Sequence, residues 1–234
     1  NFDGVDLDWE YPGYAPHNGG PADKANFTLF LQEIRDSLDA LELVTGNEYI
    51  ITAAMGAAPS HQVHIEWNNV QNLLDMINLM SYDYYGTWSP QSNHNAPLYP
   101  PAVGDPNFTI DAAFQNLVQN YNVPPEKINL GVAFYGRSLE GCNALHCNGH
   151  SGTTDTQTFP EDEGMPLYYN IVKNMNLFTR HWDSRAEVPY LLGNSINTFL
   201  SYDDEESIAN KAQYAIDNNA GGVIIWEITG DYME

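Results

Sequence analysis

Basic side chains are scarce in this chain: 8 Lys and Arg stand against 31 Asp and Glu, a formal net charge of −23. Nucleic acid and anionic membrane surfaces are therefore poor partners, since each would repel such a polyanion. A neutral or cationic substrate is compatible. Long apolar runs are missing too; none approaches the roughly 20 residues needed to span a bilayer. Cysteine is nearly absent. The two present, Cys142 and Cys147, lie close together in a loop-like stretch beside His146 and His150. A local disulfide in a secreted protein fits that arrangement better than a zinc site, whose usual ligand spacings these residues do not match. Neither a metal nor a cofactor is expected, and no internal repeat or low-complexity run is visible.

What is present points to an ordinary core with an unusual surface. At 234 residues and 43% hydrophobic content, the chain suits one large domain or two small ones. Aromatics include 15 Tyr and 5 Trp, many in Gly/Pro/Asn-rich segments. Most of the Tyr belong in a core, but such side chains also stack on the apolar C–H faces of sugar rings, which leans the reading toward carbohydrate. Two sequons, at Asn26 and Asn107, matter only in an organism that glycosylates.

The densest chemistry lies in residues 2–13, FDGVDLDWEYPG. As an extended strand it alternates faces, so Gly4, Asp6, Asp8 and Glu10 share one face, while Val5, Leu7 and Trp9 form an apolar face for packing against helices. Three carboxylates in a row on a buried face penalise one another's ionisation, so at least one is expected to hold its proton toward neutral pH. An acidic edge strand of no function is the bland alternative. A calcium loop is disfavoured: counted from Asp3, its sixth position is Asp8 rather than Gly and its twelfth is Tyr14 rather than Glu. Asp3 faces away from the other acids and reads as structural.

Strand and helix signals then alternate. A helix is expected from about residue 24, capped by Asp23, with Phe27, Phe30, Leu31, Ile34, Leu38 and Leu41 at helical spacing. Strands are predicted at 49–56, 128–136 and 221–227, with 77–86 a strand running into a loop, and helices at 67–76, 109–121 and 204–219. Strands separated by single helices imply a parallel sheet. Residues from about 139 to 200 break the rhythm with turn residues, mixed aromatics and both cysteines, which suggests an inserted subdomain. Asp8 and Glu10, Tyr82 and Asp83, Tyr135 and Arg137, and Trp226 and Glu227 all fall at or just beyond a predicted strand end, where α/β barrels place their active sites.

These residues resemble family 18 glycoside hydrolases, the chitinase-like (β/α)8 barrels. DGVDLDWE resembles the family signature D-G-x-D-x-D-x-E, and LMSYDYYGTW resembles its M-x-Y-D segment. GVAFYGRSL and TFLSYDDEESIANK resemble the strands flanking the family's insertion domain, and GGVIIWEITGD its last barrel strand. The resemblance implies a TIM-type α/β fold with barrel parts at 1–138 and 201–234 and an inserted α+β subdomain at 139–200. A barrel of this family has three strands before the signature. About five barrel strands are therefore expected here, the chain reading as a C-terminal part of a longer secreted enzyme, a monomer when complete.

The resemblance also implies roles. Glu10 is the general acid and base, Asp8 stabilises the substrate's acetamido group, and Asp6 supports Asp8. Tyr82 donates to the acetamido group with Asp83 behind it. Trp226 floors the subsite of the distorted sugar, and Trp88 is a stacking platform on the leaving-group side. Tyr11 and Tyr135 are further substrate contacts. Arg137 either reaches the cleft or pairs with a carboxylate, and Met80 lines the site or the barrel interior. The implied reaction is retaining hydrolysis of chitin or chitooligosaccharides, with the acetamido oxygen as nucleophile. An endo-β-N-acetylglucosaminidase and a non-hydrolytic chitin-binding lectin are the competing readings; the presence of Glu10 argues against the lectin.

Overall fold

The computed structural model describes residues 2–232. In chain order its elements begin with β1 (Gly4–Asp8), α1 (Asp23–Thr45), β2 (Ile50–Gly56), α2 (Pro59–Gln62), α3 (Trp67–Val70), β3 (Met76–Met80), α4 (Ile110–Gln115) and β4 (Ile128–Ala133). They continue with β5 (Arg137–Glu140), α5 (Tyr168–Lys173), β6 (Phe178–Asp183), β7 (Val188–Gly193), β8 (Thr198–Ser201), α6 (Glu205–Asp217) and β9 (Gly222–Trp226).

A five-stranded sheet runs in the order β1-β2-β3-β4-β9. Its first four strands pair in parallel, with Asp6 opposite Thr52, Asp8 opposite Ala54, Ala54 opposite Asn78, and Asn78 opposite Asn129. β9 joins through the Gly221 amide, which donates to the Ile128 carbonyl at 2.9 Å, and the Phe134 amide, which donates to the Trp226 carbonyl at 2.8 Å. The inner strands IITAAMG, MINLM and INLGVA read as apolar runs because a parallel sheet is covered on both faces. β1 and β9 end the order, and they are less covered. Val5 and Trp9 each stay 37% exposed, so the apolar face expected to bury Val5, Leu7 and Trp9 is only partly packed. Trp9 does meet Phe27 of α1 edge-on, with ring centroids 6.0 Å apart. The opposite face, expected to be buried, leaves Asp6, Asp8 and Glu10 exposed.

Several boundaries differ from the sequence reading. Asp23 is the first residue of α1 rather than its cap; Ala22 stands at the cap. The Asp23 carboxylate instead accepts from the Gly20 amide at 2.8 Å and the Gly13 amide at 3.0 Å, tying down the turn after Glu10. Those two backbone donors hold its pKa below the ordinary carboxylate value. α1 buries Phe27 and Leu31, but Phe30 and Leu41 face outward. The helix expected over 67–76 stops at Val70, because Asp75 turns to accept the Ile51 amide at 2.8 Å and Met76 already opens β3. The strand expected to run into a loop within 77–86 does so after Met80, where the Ser81 hydroxyl bonds the backbone of Gly131 and Asp83 takes a left-handed φ of 59°. The helix over 109–121 widens after Gln115 into a π-helical turn, Asn116–Asn120.

Within the region read as an insertion, β5, β8, β7 and β6 form a four-stranded antiparallel sheet. Phe159, Ile171, Phe178, Leu191, Leu200 and Tyr202 pack as its core. Cys142 and Cys147 are disulfide-bonded, and Cys142 is buried with Leu139 and Phe199. By internal contact the chain separates into two compact units. One comprises Asn1–Met80, Ala113–Leu130 and Ala215–Ile224; the other comprises Ser81–Ala112, Gly131–Tyr214 and Ile225–Glu234. Asn1, Met233 and Glu234, which the expected barrel parts include, lie outside the described residues. No helix among the described residues is long and apolar enough to cross a membrane.

Candidate active site

The first unit holds the carboxylates. Asp8 ends β1, Asp6 precedes it by one strand repeat, and Glu10 follows in the turn. Strand register supplies Asp6 with two donors on one oxygen: the Thr52 hydroxyl from β2 and the Asn78 amide from β3, the latter at 3.1 Å. Asn78 is itself oriented, since its Oδ1 accepts from Asn129 Nδ2 of β4 at 2.9 Å. A polar ladder thus crosses four strands and ends on Asp6. Asp8 binds its proton more tightly than an ordinary carboxyl does. The residue is exposed overall, but partial desolvation of its carboxyl raises its pKa most, followed by the charges of Glu10 and Asp6 and by a hydrogen bond with Glu10. Next to Glu10, the Tyr11 ring stacks on His61 with centroids 3.9 Å apart. Met80 is half-buried at the end of β3, in register with Gly56.

The second unit holds the remaining site residues expected from the sequence. Tyr82 is half-buried, its ring edge-on to Tyr135 at 6.1 Å. Tyr135, expected as a substrate contact, is buried to 8% exposure and donates its hydroxyl to Asp83 Oδ1 at 2.6 Å. Burial and the Asp83 charge push the Tyr135 phenol well up. Arg137 takes the carboxylate option: it grips Asp83 through Nη2 at 2.6 Å and Nε at 2.9 Å. This fork on a carboxylate is the geometry guanidinium groups favour. The same guanidinium lies 5.2 Å from the Trp88 ring centre and 5.4 Å from that of Tyr135. Trp88 is 58% exposed and Trp226, the last residue of β9, is 57% exposed. Both indoles are largely exposed to solvent.

Sequence reasoning missed Thr52, Asn78 and Asn129, as well as His17 and His61 beside the turn. A Thr or Asn inside an apolar strand carries no signal until register sets its neighbours. The only available hint was composition: Thr52, Asn78 and Asn129 are each the one polar side chain of an otherwise apolar strand.

The chain is similar along its length to several known proteins. The chain is 41% identical over 249 residues to Chitinase A1 of Niallia circulans, covering 99% of this chain and 35% of that protein. A solved chitinase from Bacillus thuringiensis superposes with a TM-score of 0.89 at 38% identity, over 100% of this chain and 40% of the other. A solved family 18 N-acetylglucosaminidase from Paenibacillus barengoltzii gives a TM-score of 0.85 at 35% identity, over 98% and 67%. The chain thus spans a little over a third of the Niallia circulans protein it matches. Its fold is the α/β, TIM-barrel type of these enzymes, with five strands in the sheet. The family description "Glycosyl hydrolases family 18" matches residues 1–231, nearly every position from the acid-bearing strand to the end of the last one, and the chain belongs to that family.

Proposed function

We propose that the protein carrying this chain is a secreted chitinase that hydrolyses β-1,4-linked N-acetylglucosamine polymers with retention. The acetamido oxygen of the substrate attacks the anomeric carbon, the glycosidic C–O bond breaks, and Glu10 gives its proton to the leaving oxygen. Water then gives a proton to Glu10 and attacks the same carbon, the bond to the acetamido oxygen breaks, and the acetamido group is restored. Asp8 stabilises the charge that develops on the acetamido nitrogen, and Asp6, anchored by Thr52 and Asn78, supports Asp8. Tyr82 orients the acetamido oxygen. Asp83, gripped by Arg137 and Tyr135, backs that site, which makes Tyr135 and Arg137 supports more than direct contacts. Trp226 and Trp88 supply stacking faces, Tyr11 and Met80 line the cleft, and residues 139–200 form the inserted subdomain. The Cys142–Cys147 disulfide is in keeping with an oxidising compartment.

The observation that carries this reading is the row of acids at the end of β1, where Asp8 ends the strand with a raised proton affinity beside Glu10 and Asp6 is fixed by the Thr52 hydroxyl and the Asn78 amide. Glu10→Gln preserves shape but delivers no proton, so kcat on chitooligosaccharides falls by about 10²–10⁴-fold while calorimetric binding of the oligosaccharide persists. Near-normal turnover of that variant rules Glu10 out as the acid. The Paenibacillus barengoltzii relative, described as an N-acetylglucosaminidase, favours a second reading: release of single N-acetylglucosamine units. Product sizes from short chitooligosaccharides separate the two.

A further inference from the structure

The turn after β1 holds Glu10 within a group of aromatic rings of which the proposed reaction uses only Tyr11, as cleft lining. His61 of α2 lies flat on Tyr11, its centroid 3.9 Å away and the planes 13° apart. Tyr14 meets both rings edge-on, at 5.8 Å from Tyr11 and 5.6 Å from His61. His17 meets Tyr14 in turn, at 5.0 Å and 88°. The chain then returns to the acid: His17 Nδ1 lies 2.7 Å from the Glu10 carbonyl oxygen. A carbonyl only accepts, so Nδ1 carries the proton and donates it. The main chain of Glu10 is therefore held at its carbonyl by His17 and at the following residue by His61.

Two glycines make room for the two imidazoles of this region. A Cβ on Gly56, at the end of β2, would stand 2.6 Å from His61 Nδ1, and one on Gly13 would stand 2.7 Å from the His64 ring. Gly13 also has a φ of +73°, open to glycine at little cost. Trp9, Ala54 and Ile65 complete an apolar lining beside the Tyr11–His61 stack.

We propose that His61 is a positioning residue for the general acid, fixing the Glu10 peptide through its stack on Tyr11. This rests on Glu10 being that acid. The charged groups facing His61 are Glu10 from the turn and His64 just beyond α2, and Asp23 at the start of α1 faces His64. Burial and His64 favour the neutral ring, and Glu10 opposes them. The neutral ring leaves Glu10 to its hydrogen bond with Asp8. A protonated ring puts a cation beside Glu10 and draws that carboxylate away from Asp8.

The test uses the protein that carries this chain, with kcat and KM on chitooligosaccharides followed from acid to neutral pH. His61→Ala removes the stack; kcat at neutral pH falls about tenfold with KM within about twofold, since small misplacements of a reacting group can cost up to about 10²-fold. His61→Phe keeps a flat ring that never charges. It restores most of that kcat, and its activity persists to lower pH than in the unmodified protein. A His61→Ala kcat within twofold of normal overturns the proposal, as does a His61→Phe variant as slow as His61→Ala. An acid limb unmoved in His61→Phe overturns the charge argument. A second readout needs no activity: the NMR titration midpoint of His61 moves down in Glu10→Gln, which has lost the facing carboxylate. An unmoved midpoint shows that the two side chains do not interact and overturns the proposal. Full turnover by Glu10→Gln with a shifted His61 midpoint instead sinks the assignment of the acid, and with it the positioning role.

Discussion

At Asp8 the negative charge that the proposed reaction calls for opposes the stability of the fold. Its carboxyl binds a proton more tightly in the folded chain than its ordinary value of 3.8 allows. A group with a raised folded pKa contributes its full stability below the unfolded pKa and loses that contribution as pH rises through the folded one. At neutral pH Asp8 is therefore a net strain among Asp6 and Glu10. Asp8→Asn raises the thermal midpoint at neutral pH, and the gain disappears under acid conditions where Asp8 is protonated in both states. The same variant loses kcat by about 10²-fold or more. Thermal unfolding at two pH values, together with an activity assay, checks both halves. The candidate site was legible at this scale where parity alone decides. Asp6, Asp8 and Glu10 share a face because they sit two residues apart. His61 was not legible, because no local pattern links it to Tyr11, some fifty positions earlier in the sequence.

Among the elements, α6 is held at its start by a buried ion pair. Lys211 is fully buried, and its ammonium pairs with Asp203 in the turn before the helix, where the Ser207 hydroxyl also donates to Asp203 at 2.7 Å. Burial pulls the Lys211 pKa down, and the Asp203 carboxylate opposes that pull. Asp203→Asn keeps the acceptor for Ser207 but takes away the nearest countercharge of a buried ammonium. That loss costs about 3–5 kcal/mol of folding stability, read as a lower denaturant midpoint with an unchanged slope. Element types followed from periodicity: α1, β2, β4, α6 and β9 fall where apolar spacing puts them. Their ends did not. The shortening of α3 depends on Asp75 reaching the Ile51 amide, and the stop of β3 on Ser81 bonding Gly131. Both are contacts between segments far apart in sequence. The antiparallel strands β5 to β8 were legible only as an interruption, since short strands among turn residues have no distinctive period.

Over the whole molecule the net charge of −23 is a repulsive load on the compact state. Raising ionic strength from about 0.01 M to about 0.15 M shortens the screening length from about 30 Å to about 8 Å. The thermal midpoint of the chain therefore rises over that interval. The same salt weakens repulsion between molecules. Leu29, Leu43 and Val44 on α1 are exposed, and apolar surface of this kind favours association. Light scattering therefore increases along the same salt series. A midpoint that falls with added salt contradicts this account of the charge.

The sequence by itself determined the alternation of strands and helices, the face on which the acids stand, and, through its ordered motifs, the family. Each follows from spacing along the chain, which covalent geometry turns directly into direction. Only the tertiary structure decided that Asp8 binds its proton more tightly than an ordinary carboxyl, that Arg137 grips Asp83, and that Tyr135 turns its hydroxyl to the same carboxylate. Proton affinity and ion pairing depend on distance and burial in space. Those are set by strand register and by turns that bring distant residues together, so spacing along the chain does not reveal them.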